Sequence, residues 1–146
     1  MSTNPMISPT AAKDMLNTLG ALFNSYYIVI ASGSLPANCG ASDSGTVLAK
    51  PQFGSTAFGS ASDGSTTGIM TITANTITSD TNAANTGTAG HFRCSSNNTL
   101  SGTIVAQGTC GTSSADMIMN TTSITSGDTV AISSFVINLP DGSGDD

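Results

Sequence analysis

The alternation of apolar and polar positions divides the chain into a short helical part and a long β part. Residues 1–8 (MSTNPMIS) show no period and contain a proline, which predicts an extended arm. Ser8 then sets a capping hydroxyl ahead of Pro9, and Ala12, Met15, Leu16, Leu19, Leu22 and Phe23 recur at helical spacing. The pattern predicts one helix over residues 9–23, within an N-terminal segment 9–24. Gly20 weakens that helix by about 1 kcal/mol, so its stability must come from packing its apolar stripe on something.

From Tyr26 the period changes. YYIVIAS (26–32) is a continuous β-branched and aromatic run, the signature of a strand covered on both faces. SGSLPANCGASDSG (32–45) is loop chemistry throughout. Further strands are predicted at residues 46–50, 68–73, 91–95, 99–107, 116–120 and 128–140, with another in 52–58 and a tight hairpin turn at Asn97-Asn98. In the last strand Val130 and Ile132 share one phase while Phe135, Ile137 and Leu139 share the other. A strand alternates faces with period two, so a bulge or bend is predicted at Ser133-Ser134. Short strands separated by Gly, Ser, Asn and Asp predict a mainly β fold, an antiparallel β-sandwich or jelly roll occupying residues 25–140. Residues 141–146 read as an acidic tail.

Composition narrows the functions. With 146 residues there is room for one domain. Charged residues are 8% of the chain, against about 25% in an ordinary globular protein. All nine acids are aspartate, set against Lys13, Lys50 and Arg93, for a net charge of −6. Three scattered cations cannot neutralise a run of phosphates, which excludes nucleic-acid binding through a basic face. No export signal or membrane span is legible, so the chain is expected to be soluble and made in the cytoplasm, with no membrane partner. Three irregularly spaced cysteines are not a disulfide framework; a pairing of Cys39 with Cys110 stays open.

One stretch concentrates chemistry. TAGHFRCSS (88–96) holds the only histidine, the only arginine and one cysteine. On a strand, His91 and Arg93 share one face and Phe92 and Cys94 the other, which predicts Phe92 and Cys94 buried with His91 and Arg93 outward. A hydrolase built on His91 would also need an activated nucleophile, and no G-x-S-x-G elbow occurs. His91 with Cys94 falls short of a zinc site. The spacing of aspartates in residues 141–146 suits calcium only loosely, and without the closing glutamate it reads better as a solvated tail. No catalytic residue, metal or cofactor is expected. Arg93, alone on an acidic protein, is expected to pair with an aspartate.

The order of segments LNTLGALFNSYYIVIASGSLPA (16–37), SGTVLAK (44–50), ITSDT (77–81), TAGHFRC (88–94) and GTSSADMIMNTTSITSGDTVAISSFVINLP (111–140) resembles a family of small virion proteins encoded by tailed phages and prophages. The resemblance implies a capsid decoration, or cement, protein on the virion surface, assembled in the host cytoplasm. It further implies contact with the major capsid protein and homo-oligomers, trimers in particular. The residues expected to meet partners are Met1, Pro5, Met6, Ile7, Leu16, Leu19 and Arg93. A tail or fibre protein whose hydroxyl-rich loops bind host glycans is the second reading, and a small hydrolase using His91 a remote third.

Overall fold

The computed structural model describes residues 6–64 and 67–141. Met1 and Pro5, and the tail beyond Asp141, lie outside them. Helix α1 (Pro9–Ala21) starts as its sequence dictates: Ser8 is extended, its hydroxyl accepts from the Ala11 amide at 3.2 Å, and Pro9 occupies the first turn. Ala12, Leu16, Gly20 and Phe23 form its buried stripe, which is narrower than the sequence pattern, because Met15 and Leu22 are about half exposed. A β-carbon at Gly20 would come within 3.2 Å of both Ile72 and Phe58, so glycine lets the helix lie directly on the sheet. Two side chains of the helical segment dock it further: the Asn17 Oδ1 accepts from the Ala61 amide and the Asn24 Oδ1 from the Ala57 amide.

The body is mainly β, as expected. Its strands are β1 (Tyr27–Ala31), β2 (Val47–Ala49), β3 (Gln52–Phe53), β4 (Ser62–Asp63), β5 (Ile69–Thr73), β6 (Ile77–Thr78), β7 (Gly87–Thr88), β8 (His91–Ser95), β9 (Ile104–Gly111), β10 (Met117–Met119), β11 (Ser123–Ile124) and β12 (Ile132–Pro140). Ten of them form one curled sheet in the order β4-β5-β12-β10-β9-β8-β1-β3-β6, with β2 beside β1; β7 and β11 make a small second sheet. All pairs are antiparallel except β9 with β10, which is parallel. The predicted bulge is present: Ile118 lies opposite Ser134 and Met119 opposite Ile132, leaving Ser133 as the extra residue. The 99–107 strand begins late, at Ile104. Asn97 explains why: its Oδ1 accepts from the Thr99 amide and hydroxyl, folding residues 96–103 into a loop longer than the expected tight turn.

The sheet curls around an aromatic core. All five phenylalanines join it, with Phe135 5.4–6.4 Å from the rings of Phe23, Phe53, Phe58 and Phe92. Such offset and edge contacts add to the area each ring buries. Phe135 therefore ties α1, β3, β8 and β12 together. Phe135→Ala is expected to cost about 3–5 kcal/mol, measured by chemical denaturation. A loss below about 1 kcal/mol would mean that the core does not depend on this ring.

Candidate functional site

Strand β8 pairs β1 on one side and β9 on the other, so its alternating side chains define two faces of the central sheet. Phe92 and Cys94 face the aromatic core, as expected. His91 and Arg93 share the other face, but they do not point into solvent: His91 is 0% and Arg93 2% exposed. The cause is the segment 32–45. Its neck is closed by the Ser32 amide donating to the Thr46 carbonyl, and the loop folds back over the outer face of β1 and β8.

Three side chains hold that loop down. The Arg93 Nη2 donates to the carbonyls of Asn38 (3.1 Å) and Ala41 (2.8 Å). Its Nη1 donates to the Leu100 carbonyl, and its Nε to the Gln107 Oε1. Gln107 in turn donates from Nε2 to the Pro36 carbonyl at 2.8 Å. His91 Nδ1 faces the Gly33 carbonyl at 3.1 Å, and a carbonyl can only accept, so this nitrogen carries a hydrogen. At Gly33 φ is +90°, the left-handed region, and a β-carbon on neighbouring Gly90 would strike the Gly33 carbonyl. Glycine at both places lets the loop come this close.

Asp43 completes the cluster. Its Oδ2 lies 2.7 Å from His91 Nε2 and 3.5 Å from Arg93 Nε, and its Oδ1 accepts from the Gly45 amide. Burial pushes the Asp43 carboxyl up, but the hydrogen bonds from His91 and Gly45 and the charges of His91 and Arg93 outweigh it, leaving its pKa below the ordinary aspartate value. The expected partner of Arg93 is thus Asp43. Among the described residues no buried side-chain polar atom lacks a hydrogen-bond partner.

This arrangement is a clamp. Both ring nitrogens of His91 are occupied, and no nucleophile sits on either, so His91 has no free nitrogen with which to take a proton from a substrate. The shallow cleft beside it, about 490 Å³ between residues 39–43 and 100–104, is floored by a guanidinium already engaged with carbonyls. The three cysteines are free, so the Cys39–Cys110 pairing is not made. Burial raises the thiol of Cys94, with Cys39 adding to the effect, and raises that of Cys110 to about 11, which suppresses their nucleophilicity. No group of three or more metal-ligating side chains occurs among the described residues.

The residues expected to meet partners separate into three sets. Met6 (81% exposed) and Ile7 lie on the surface. Leu16 and Arg93 are buried within the chain's own fold and present nothing to a partner: Leu16 because it belongs to the helix stripe that meets the sheet, Arg93 because the loop covers it. Leu19, half-buried, lines a second groove of about 570 Å³ between β9 and β12, where Phe23, Phe92 and Phe135 are joined by the polar side chains of Gln107, Asp116, Ser134 and Asn138. Sequence reasoning passed over Asp43 and Gln107. The need of a lone arginine for an acid was a signal for an aspartate, but nothing local selected Asp43.

Removing Arg93 leaves the carbonyls of Asn38, Ala41 and Leu100 without their guanidinium donor and Asp43 without its neighbouring positive charge. Arg93→Ala is expected to cost roughly 3–5 kcal/mol and to speed amide exchange across residues 33–45. Arg93→Lys should not restore protection, since one ammonium cannot reach acceptors spread over the guanidinium fork. A second expectation concerns pH. Because the folded pKa of Asp43 is depressed, its contribution is fully present above the ordinary aspartate value and is lost as pH falls through the lowered one. Protection of the 33–45 amides, measured against their intrinsic exchange rates at each pH, should therefore fall in acid as Asp43 protonates, and Asp43→Asn should flatten that dependence. Comparison of the chain with protein-family models, with curated proteins and with solved structures finds no match.

Proposed function

We propose that the protein is a virion structural component, a capsid decoration protein that stabilises a head shell through contacts of its N-terminal arm and helix with the major capsid protein and with sister copies. The observation that carries this reading is where the chain puts its apolar and polar groups. Met6 and Ile7 on the arm and Met15 and Leu22 on α1 are exposed, while the only histidine and arginine are used inside the fold. An exposed apolar arm on a rigid β body suits a protein that binds across neighbouring subunits. The resemblance of its segments to small tailed-phage virion proteins points the same way. A trimer is the favoured assembly, and no nucleic acid, membrane or cofactor is part of the proposal.

A tail or fibre protein that binds host glycans is the second reading, favoured by the hydroxyl-rich loops bordering the 39–43 cleft. The two separate by where the protein is found. Under the decoration reading it co-purifies with heads that lack tails. A chain lacking residues 1–7, which retains the Ser8 cap, should lose head binding while its folding stability changes by less than about 0.5 kcal/mol. Recovery only with tails would overturn this reading in favour of the second.

A further inference from the structure

Two acceptors flank the ring of His91, one from each end of the loop 32–45. Its Nδ1 lies 3.1 Å from the Gly33 carbonyl and its Nε2 2.7 Å from the Asp43 Oδ2. A carbonyl has no hydrogen to give, and the Asp43 carboxyl, held below its ordinary pKa, is ionised at neutral pH and has none either. The hydrogens in both contacts therefore come from the ring. A neutral imidazole carries one hydrogen and serves one acceptor. Serving both takes two, and the ring that carries two is the imidazolium.

We propose that the loop 32–45 is a proton-held lid: it stays closed over the outer face of the sheet while His91 carries a hydrogen on each ring nitrogen, and its ends open when the second hydrogen is lost. If Nδ1 loses it, a ring lone pair faces the Gly33 carbonyl; if Nε2 loses it, a lone pair faces the Asp43 carboxylate. The side chains of His91 and Asp43 are 0% and 2% exposed, so the abandoned acceptor finds no water without movement of the loop. A shift of Asp43 also releases the Gly45 amide, which its Oδ1 holds at 2.8 Å. The middle of the loop is attached differently, by the Gln107 amide to Pro36 and by the Arg93 guanidinium to Asn38 and Ala41. Those groups do not titrate near neutral pH, so the switch acts at the ends of the loop. What the open ends uncover is Ala31, which stands opposite His91 on β1 and is fully buried in the closed state.

The charged and titratable groups facing His91 come from three sides. Asp43 faces it from the loop, and Arg93 shares its face of β8. On the β9 side Thr109 stands opposite, its amide and hydroxyl both held by the Asp116 carboxylate. Carboxylates respond in acid, which leaves the imidazole as the group that switches near neutrality. An ordinary imidazole is neutral above about pH 6.5, so in that range closing the lid takes up one proton and rising pH favours opening, by up to about tenfold per pH unit. The direction is opposite to the loosening in acid that follows from Asp43, and the lid is tightest between the two.

The device belongs to the fold and does not rest on the virion reading, and its test needs only the purified chain. At pH 7.5, nitrogen-15 spectra of the unaltered protein should show a hydrogen on both ring nitrogens of His91. Cys39→Ser removes the thiol of the loop, the other group there able to lose a proton in alkali. In that variant the protection of the Ser32 and Gly45 amides, measured against their intrinsic exchange rates, should fall at least about fivefold between pH 6.5 and 8.5. The Ala41 amide, in the part held by Arg93, should change less. His91→Gln, with no proton to lose, should start less protected and show no slope over this range. A single protonated ring nitrogen at pH 7.5, protection that stays flat from pH 6.5 to 8.5, or a slope that survives in His91→Gln would each overturn the proposal; the first is read without any variant and so stands even if His91→Gln fails to fold.

Discussion

The buried guanidinium of Arg93 is the constraint from which much of this structure follows. A positive charge taken out of water has to be surrounded by acceptors, and this one draws carbonyls from two loops, a glutamine and a carboxylate around itself. The result is a lid on the outer face of the sheet. Because that lid is in place, Val29 and Ala31 of β1 can be as fully buried as Ile28 and Ile30 on the core side, and an uninterrupted apolar strand is tolerated in a small protein. The loop has little apolar content of its own, and it is held by its backbone carbonyls.

The other face is organised by hydrocarbon. Phe135 connects rings from the helical segment, the β3 hairpin and β8, and Gly20 allows α1 to lie against Ile72 and Phe58. The curl of the sheet and the burial of the helix stripe are two aspects of one packing problem, since the same interior must take the five rings together with Leu16, Ile28, Ile30, Leu48, Ile72, Met117 and Met119. Polar docking by Asn17 and Asn24 fixes the helix where apolar contact alone would let it slide.

Much of this was legible in the sequence wherever a local rule operates. The Ser8-Pro9 start, the doubly covered strand at Tyr27–Ala31, the facing of Phe92 and Cys94 toward the core and the bulge before Phe135 all follow from spacing over a few residues. What escaped depends on distant segments. The alternation in TAGHFRCSS assigns His91 and Arg93 to the correct face, yet only the return of a loop some fifty residues earlier makes that face an interior. The two-residue strands β4, β6, β7 and β11 are too short to show a period.

The bulge at Ser133 acts as a phase-setting element for everything after it. Val130 and Ile132 approach the core in one phase of the pleat, and the extra residue shifts the chain so that Phe135, Ile137 and Leu139 approach it in the other. Residue identity at 133 matters less than residue count. Losing a single position there would turn Phe135 outward and bring Ser134 and Val136 under the helix, inverting the strand's two faces without altering any other side chain. Across this short span the fold is sensitive to length in the way a reading frame is, whereas the loops elsewhere can absorb such a change at a turn.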